Sequence, residues 1–125
     1  MDSIAICSDV MRGYIDLIIL RVLWEGDSYG YAISKRVTEL SEDSYTLKET
    51  TLYSAFARLE KLCYVRAYPG AVSGGRERTY YTLTAEGTQY YRHKCREWAL
   101  TQALISKFII REGNEDNGNH QNVSG

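Results

Sequence analysis

The stretch from Glu49 to Thr84 constrains the fold of this chain more than any other. It starts with ETTLYSAFARLEKLCYV, whose apolar residues recur at helical spacing, and it ends with GGRERTYYTLT, which is rich in residues that favour strands. Pro69, Gly70, Gly74 and Gly75 lie between the two groups of β-formers and predict a hairpin turn. A helix that leads into a two-stranded hairpin with arginines near its tip is the outline of a recognition helix followed by a wing.

The two sides of this predicted helix differ in composition. At about 100° per residue, one side is apolar and contains Leu52, Ala55, Phe56, Leu59 and Cys63. The other side has small hydroxyls, a methyl group and two cations, from Thr50, Ser54, Ala57, Arg58 and Lys61, with Tyr53 at the border. Small residues let a helix lie deep in the major groove, and cations bind phosphate or guanine edges. An ordinary amphipathic helix with a solvated outer face is the alternative interpretation.

The predicted hairpin has a basic turn. Its strands span Tyr64 to Tyr68 and Arg78 to Leu83, and Arg76 and Arg78 near the turn have Glu77 between them. Arginines beside flexible glycines can follow a phosphate backbone or enter a minor groove. A solvated loop is the alternative for the hairpin alone. The helix and the hairpin in succession favour a DNA-binding winged helix.

Two helices are predicted before this stretch. Residues 1–8 have little pattern and are expected to be a flexible lead-in. The first helix then runs from Asp9 to Trp24, with apolar residues on two faces. A second helix is predicted over Ser28–Leu40, with Ser28 as its cap and Lys35 away from its buried stripe.

The last predicted helix has two apolar stripes. It follows Thr84, a favourable N-cap, and runs to about Ile110. One stripe contains Tyr91, Cys95, Trp98, Ile105 and Ile109, with Gln102 among them. The other contains Leu100, Leu104 and Phe108. One stripe can pack on its own domain, so the other needs a partner helix.

The surplus apolar surface of the first and last helices predicts a homodimer. The residues predicted at its interface are Ile15, Ile19, Trp98, Ile105, Phe108 and Ile109. The chain from 112 to 125 has Asn, Gly, Asp and Gln but no aromatic residue, so it is expected to be a disordered tail.

The charge and hydropathy of the chain exclude some classes of function. A net charge of −1 and a pI near 6.1 argue against a protein that coats nucleic acid indiscriminately. The residues from 112 to 125 include three acids and no Lys or Arg, which leaves 15 basic and 13 acidic residues in the rest of the chain. Local basic patches are therefore possible. The most apolar stretch, Ile15–Leu23, is too short to span a bilayer.

The cysteines and histidines do not indicate a metal site or an enzyme. Cys7, Cys63 and Cys95 are odd in number and lack C-x-x-C spacing, which predicts reduced thiols in a cytoplasmic protein. His93 and Cys95 point apart on a helix, and His120 lies in the predicted tail. No Asp/Glu pair or phosphate loop accompanies them. No cofactor is expected.

Three motifs resemble the PadR family of bacterial transcriptional regulators over roughly residues 9–110. They are YGYAI (29–33), TLYSAFARLEK (51–61) and GGRERTYYTLTAEG (74–87). The resemblance implies a mainly α fold with a small β hairpin, in which a winged helix-turn-helix (9–83) precedes a C-terminal dimerisation helix (84–111). A single C-terminal helix is similar to the compact subfamily that includes a lactococcal multidrug-binding repressor.

The resemblance also implies a function. Family members are mostly repressors that bind palindromic operators in double-stranded DNA and release them when a small, often aromatic, effector binds. The residues expected to bind DNA, from the helical pattern and the resemblance together, are Lys35, Thr50, Thr51, Tyr53, Ser54, Arg58, Lys61, Arg76 and Arg78. A winged helix used only for protein contacts, which the acidic pI favours, is the alternative.

Trp98 lies where the multidrug-binding relative has a tryptophan that stacks on planar ligands. An interface core residue is the alternative role of Trp98. Asp16, Leu17 and Gln102 are weaker candidates for the lining of the same pore. Cys63 departs from the family, which usually has glycine at the end of the recognition helix. A residue with a side chain must either accept a left-handed backbone there or change the turn.

Overall fold

The computed structural model describes residues 6–70, 75 and 77–112. Within them the chain is mainly helical, with one small antiparallel sheet, as the sequence predicted. The helices are α1 (Ser8–Arg12), α2 (Ile15–Trp24), α3 (Gly30–Leu40), α4 (Glu49–Lys61) and α5 (Ala85–Ser106). The strands are β1 (Ser28–Tyr29), β2 (Val65–Pro69) and β3 (Thr79–Leu83). The predicted lead-in and tail lie mostly outside the described residues.

The prediction of one helix from Asp9 to Trp24 is wrong, because the chain breaks between α1 and α2. Gly13 ends α1, and Tyr14 has φ −117° and ψ 0°, outside helical geometry. The Tyr14 N–H donates to the Met11 carbonyl (2.8 Å) and closes a turn. Glycine is among the weakest helix formers, which explains the position of the break.

The predicted cap at Ser28 is also wrong, because Ser28 lies in a strand. The sheet has the order β1-β3-β2, and Ser28 pairs with Tyr81. α3 therefore starts two residues later than predicted, and its N-cap residue, Tyr29, makes no side-chain capping hydrogen bond. The hairpin itself was predicted correctly: β2 and β3 pair from Val65↔Leu83 to Pro69↔Thr79.

The core lies between α2, α3, α4 and the sheet. At its centre the rings of Phe56 and Tyr81 stack with their centroids 3.7 Å apart. Ile15 and Ile19 are 5% and 0% exposed in this core, and Leu20 on the other face of α2 is also 0% exposed. The two α2 residues predicted at a dimer interface, Ile15 and Ile19, are thus packed in the chain's own core, whereas Leu17 and Ile18 are half-buried.

Thr84 caps α5 as predicted. Its hydroxyl oxygen accepts a hydrogen bond from the Gly87 N–H (2.9 Å). The same hydroxyl donates to the Cys63 carbonyl (2.7 Å), which ties the start of α5 to the end of the α4 segment. α5 ends at Ser106 rather than near Ile110, and shorter-range bonds follow, such as Phe108 N–H to the Ile105 carbonyl (2.9 Å). The chain divides into two compact units, residues 1–95 and 96–125.

Candidate nucleic-acid interface

The outer face of α4 is exposed as the sequence predicted. The predicted residues Thr50, Tyr53, Ser54, Ala57, Arg58 and Lys61 are exposed, and Thr51 is half-buried; the acidic residues Glu49 and Glu60 of the same helix are exposed as well. The inner face, Leu52, Ala55, Phe56 and Leu59, is at most 1% exposed. Cys63 was predicted on the inner face, but it is exposed because it follows the end of the helix. A row of hydroxyls and cations is therefore displayed on a helix that is firmly anchored in the core.

Tyr53 is held at the border of this face by two contacts. Its ring meets Phe56 edge to face, with the centroids 5.8 Å apart. Its hydroxyl lies directly over Gly30, where a Cβ atom would collide with it. Gly30 therefore lets the tyrosine lie across the start of α3, while 47% of the residue stays exposed.

The junction between α4 and the wing keeps the left-handed geometry that glycine usually supplies. Cys63 has φ +66°. The Tyr64 N–H donates to the Leu59 carbonyl (2.9 Å) and the Cys63 N–H to the Glu60 carbonyl (3.0 Å). These two bonds form a complete Schellman motif. Of the two possibilities that the sequence left open, the chain adopts the left-handed residue and retains the turn.

The part of the wing near its turn is fixed to the loop that precedes β1. The Tyr68 hydroxyl donates to an Asp27 carboxylate oxygen (2.6 Å). This hydrogen bond lowers the pKa of Asp27 and raises the pKa of Tyr68. Just beyond the same end of β2, the Gly70 N–H donates to the Arg78 carbonyl (2.7 Å) and extends the pairing. Arg76, predicted on the wing, lies outside the described residues.

Arg78 is not at a free hairpin tip. Its guanidinium carbon lies 4.6 Å from the centroid of the Tyr29 ring, a cation–π contact that joins the wing to β1. Its Nε is buried and has no hydrogen-bond partner within the part of the chain that the structure describes. A cleft of about 520 Å³ borders this contact and is also lined by Tyr31 and Tyr53. Arg78 on the wing thus lines the same cleft as Tyr53 on α4.

Tyr31 was missed as a surface residue of this cleft. It is 66% exposed at the start of α3. The YGYAI motif was noted only for its resemblance, although a tyrosine two residues before the buried Ile33 cannot share its face of a helix. That spacing was the available signal.

Arg58 and Asp16 form an ion pair between α4 and α2. The Arg58 Nη2 donates to the Asp16 Oδ1, and the two side chains are 49% and 16% exposed. They line a cleft of about 480 Å³ together with Thr50 and Ser54. Asp16 on α2 was expected in an effector pore, but its carboxylate lies in the cleft beside the exposed face of α4. The two residues are 42 positions apart, so no local pattern signals this pair.

The other predicted residues are accessible. Lys35 on α3 and Lys61 at the end of α4 are exposed. Trp98 is 43% exposed and Gln102 is exposed on α5, whereas Leu17 on α2 is half-buried. Among the described residues, no three His, Cys, Asp or Glu side chains are placed to hold a metal ion. None of the helices described has both the length and the apolar character to cross a membrane.

Comparisons with known proteins identify related transcriptional regulators. Residues 19–93 match the model of the PadR-like family of transcriptional regulators. The solved structure of a transcriptional regulator from Clostridium thermocellum is 55% identical, with a TM-score of 0.76, over 82% of this chain and 99% of that one. A PadR family transcription regulator from Clostridium difficile is 38% identical, with a TM-score of 0.67, over 77% of this chain and 98% of that one.

A relative of uncharacterised function from Lysinibacillus sphaericus is 43% identical over 102 residues, which are 82% of this chain and 94% of that protein. The family match, the two related structures and the exposed face of α4 agree on one class of protein. That class is a DNA-binding regulator rather than an enzyme. The chain belongs to the PadR-like family of transcriptional regulators.

Proposed function

We propose that this regulator is a cytoplasmic homodimeric repressor, which binds a palindromic operator through α4 and the wing and releases it when a small planar hydrophobic effector binds. The observation that carries the proposal is the outer face of α4. Its exposed hydroxyls, Tyr53 and cations lie opposite a face that is at most 1% exposed. A helix anchored in this way can enter the major groove without losing its own packing.

The cations have distinct roles in this proposal. Lys61 and Lys35 have no ion pair within the described part of the chain, so each can neutralise a phosphate. The Tyr53 hydroxyl donates to a backbone phosphate beside them. Arg78, stacked on Tyr29, approaches the backbone from the wing. We also propose Thr50, Thr51 and Ser54 at the groove floor, where their small side chains allow close approach.

DNA binding is tested with Lys61→Ala and Tyr53→Phe, each of which removes one proposed phosphate contact. Duplexes from the DNA upstream of the chain's own coding region are titrated by fluorescence anisotropy at several salt concentrations. Removal of one phosphate contact by Lys61→Ala lowers the magnitude of the salt slope by about 1. Lys107→Ala is the matched control, because Lys107 is an exposed cation beyond α5. Equal slopes for Lys61→Ala and the wild type would overturn the assignment of α4.

The second copy is proposed to cover the distal part of α5 and the residues that follow it. This segment exposes large apolar side chains, with Leu100 at 73%, Leu104 at 54%, Ile105 at 50%, Phe108 at 75% and Ile109 at 57%. A large exposed apolar patch marks an interaction site. In a twofold dimer the two α4 helices would contact major grooves about 34 Å apart, which matches a palindromic operator.

The effector is proposed to stack on Trp98. Its indole is 43% exposed beside the apolar residues of α5, and Gln102 lies one turn further along the same helix. The carboxylate of Asp16, a weaker candidate from the sequence, is bound by Arg58. Titration with proflavine in the absence of DNA should quench the Trp98 emission. Trp24→Phe removes the other tryptophan as a control, and quenching that persists in Trp98→Phe would exclude Trp98 as the site.

A further inference from the structure

We propose that Asp16 determines the DNA sequence specificity of this regulator by orienting Arg58 toward the edge of a guanine. This inference rests on the proposed function, because it requires α4 to lie in the major groove. Arg58 is an expected DNA-binding residue, but nothing in the sequence connects it to Asp16 on another helix. The Asp16 carboxylate restricts the orientation of the Arg58 guanidinium in the groove.

The contact with Asp16 leaves guanidinium nitrogens of Arg58 available for DNA. One Arg58 nitrogen, Nη2, donates to Asp16, and 49% of the Arg58 side chain remains exposed. Thr50 and Ser54 lie two turns and one turn before Arg58 on the same exposed face and line the same cleft. The guanidinium is therefore held in the row of side chains that faces the DNA. A guanidinium has five N–H donors, so donors remain for a base edge after this contact.

Asp16 is itself well fixed. Its side chain is 16% exposed, and it lies in the first turn of α2, where the helix dipole favours a negative charge. The neighbouring Ile15 is buried in the core at 5% exposure. The carboxylate is thus part of a rigid element, and it orders the Arg58 side chain before DNA arrives. An arginine that is already ordered loses less conformational entropy on binding.

The charge of the Asp16–Arg58 pair affects non-specific affinity and base discrimination differently. The pair is neutral as a unit, so Arg58 adds little to the charge-driven attraction that supplies non-specific binding. A guanidinium in one fixed orientation can still donate to the O6 and N7 of guanine, which only one base displays in the major groove. Without Asp16 the arginine is free to swing to a phosphate of any sequence. Asp16 therefore lowers non-specific affinity and raises discrimination.

The experiment compares the affinity for the upstream duplex with that for a scrambled duplex of the same composition. Asp16→Asn keeps the shape of the side chain and removes its charge. We expect the ratio of the two affinities to fall about tenfold, the size of one guanine contact. The affinity for the scrambled duplex should be unchanged or higher, with a salt slope up to about 1 steeper.

Asp9→Asn is the matched control. It removes the same charge from an exposed pair, Asp9 with Arg12; Arg12 lines the same cleft as Arg58, whereas Asp9 does not. A second variant, Arg58→Lys, keeps the cation but lacks the planar fork. Its ratio of affinities for the upstream and the scrambled duplex should therefore fall, without a steeper salt slope. Melting curves establish that each variant is folded. Should Asp16→Asn fail to fold, Asp16→Ser, which also removes the carboxylate, provides the same comparison of ratios.

The outcomes distinguish this inference from the proposed function. A wild type that does not discriminate the duplexes overturns both. If the wild type discriminates between the two duplexes and the variants have the same affinity ratio as the wild type, only the role of Asp16 is overturned. The role is also overturned if Asp9→Asn lowers the ratio as much as Asp16→Asn does. A similar loss of affinity for both duplexes would show that Asp16 only supports the fold.

Discussion

At the scale of single residues, Cys63 shows how a strained conformation is retained. A residue with a side chain pays about 1–2 kcal/mol in the left-handed region. The Schellman bonds hold this backbone, and the Thr84 hydroxyl adds a hydrogen bond to the Cys63 carbonyl (2.7 Å). The thiol is exposed, so packing of the side chain does not compensate. The strain is therefore offset by hydrogen bonds at the junction between α4 and the wing.

Cys63→Gly should stabilise the protein by about 0.5–1 kcal/mol, because relief of the strain exceeds the extra entropy of glycine in the unfolded chain. Urea denaturation at neutral pH measures the change. Cys63→Ala is the control, since alanine keeps the Cβ atom and the strain. The same stability for the glycine and alanine variants would show that the left-handed backbone is not a significant strain.

At the scale of elements, the start of α5 packs directly on the backbone of the wing. A Cβ atom at Gly87 would collide with the Tyr64 carbonyl oxygen, and that oxygen also accepts the Thr84 N–H (3.2 Å). Only glycine allows α5 to approach the chain this closely while Thr84 caps the helix. The contact sets where α5 starts relative to β2.

Gly87→Ala should destabilise the protein by about 1–3 kcal/mol, because a backbone atom rather than a flexible side chain must move. Thermal and urea denaturation both report this loss. Gly13→Ala is the matched control, since the nearest atom to its Cβ would be the Val10 carbonyl oxygen at 3.9 Å. If alanine at 87 were tolerated as well as alanine at 13, the close approach would not be important.

Two other elements are joined by ion pairs. Arg36 on α3 donates to both carboxylate oxygens of Glu25 (2.9 Å each), which follows α2, and Arg21 binds the same carboxylate at 2.8 Å. The hydrogen bonds from Arg36 and then Arg21 lower the pKa of Glu25 to about 2. The group is exposed, so salt screens the pairs.

The sign of the pH dependence follows from the lowered pKa. A carboxyl group whose pKa is lower in the folded state contributes stability above its unfolded pKa and loses it as pH falls through the folded pKa. The advantage of the wild type over Glu25→Gln should therefore be complete above about pH 4.5 and disappear toward about pH 2. Melting temperatures across this range measure it. A constant difference between the two proteins would contradict the prediction.

At the scale of the whole molecule, the distal part of α5 and the residues that follow it expose large apolar side chains. From Trp98 to Ile110 these side chains are at least 43% exposed. The opposite situation holds for α2, whose Ile15 and Ile19 are buried in the chain's own core. The surface for a second copy is thus proposed on α5.

Phe108→Asp should convert the proposed dimer to a monomer of 14.3 kDa, because a charge cannot be desolvated in an apolar interface without a partner. Sedimentation equilibrium measures the mass. Tyr31→Asp is the control, because it places the same charge at an exposed aromatic residue near α4. A wild type that sediments as a monomer, or a Phe108→Asp variant that sediments as a dimer, would contradict the assignment.

The sequence alone determined the features that depend on neighbours along the chain. The two faces of α4, the hairpin of β2 and β3 and the cap at Thr84 follow from helical period, turn residues and a hydroxyl at the right place. At Cys63 the sequence left a left-handed backbone and a changed turn open, and the structure has the left-handed one.

Only the tertiary structure decided which distant residues meet. Ser28 joins a strand because its backbone pairs with Tyr81, and Arg58 is bound by Asp16 across 42 positions. Local periodicity contains no information on such contacts, since it describes which face a residue occupies but not what covers that face. The apolar second face of α2 illustrates the reason. The same pattern suits a partner subunit or the chain's own core, and only the packing of α3, α4 and the sheet decides between them.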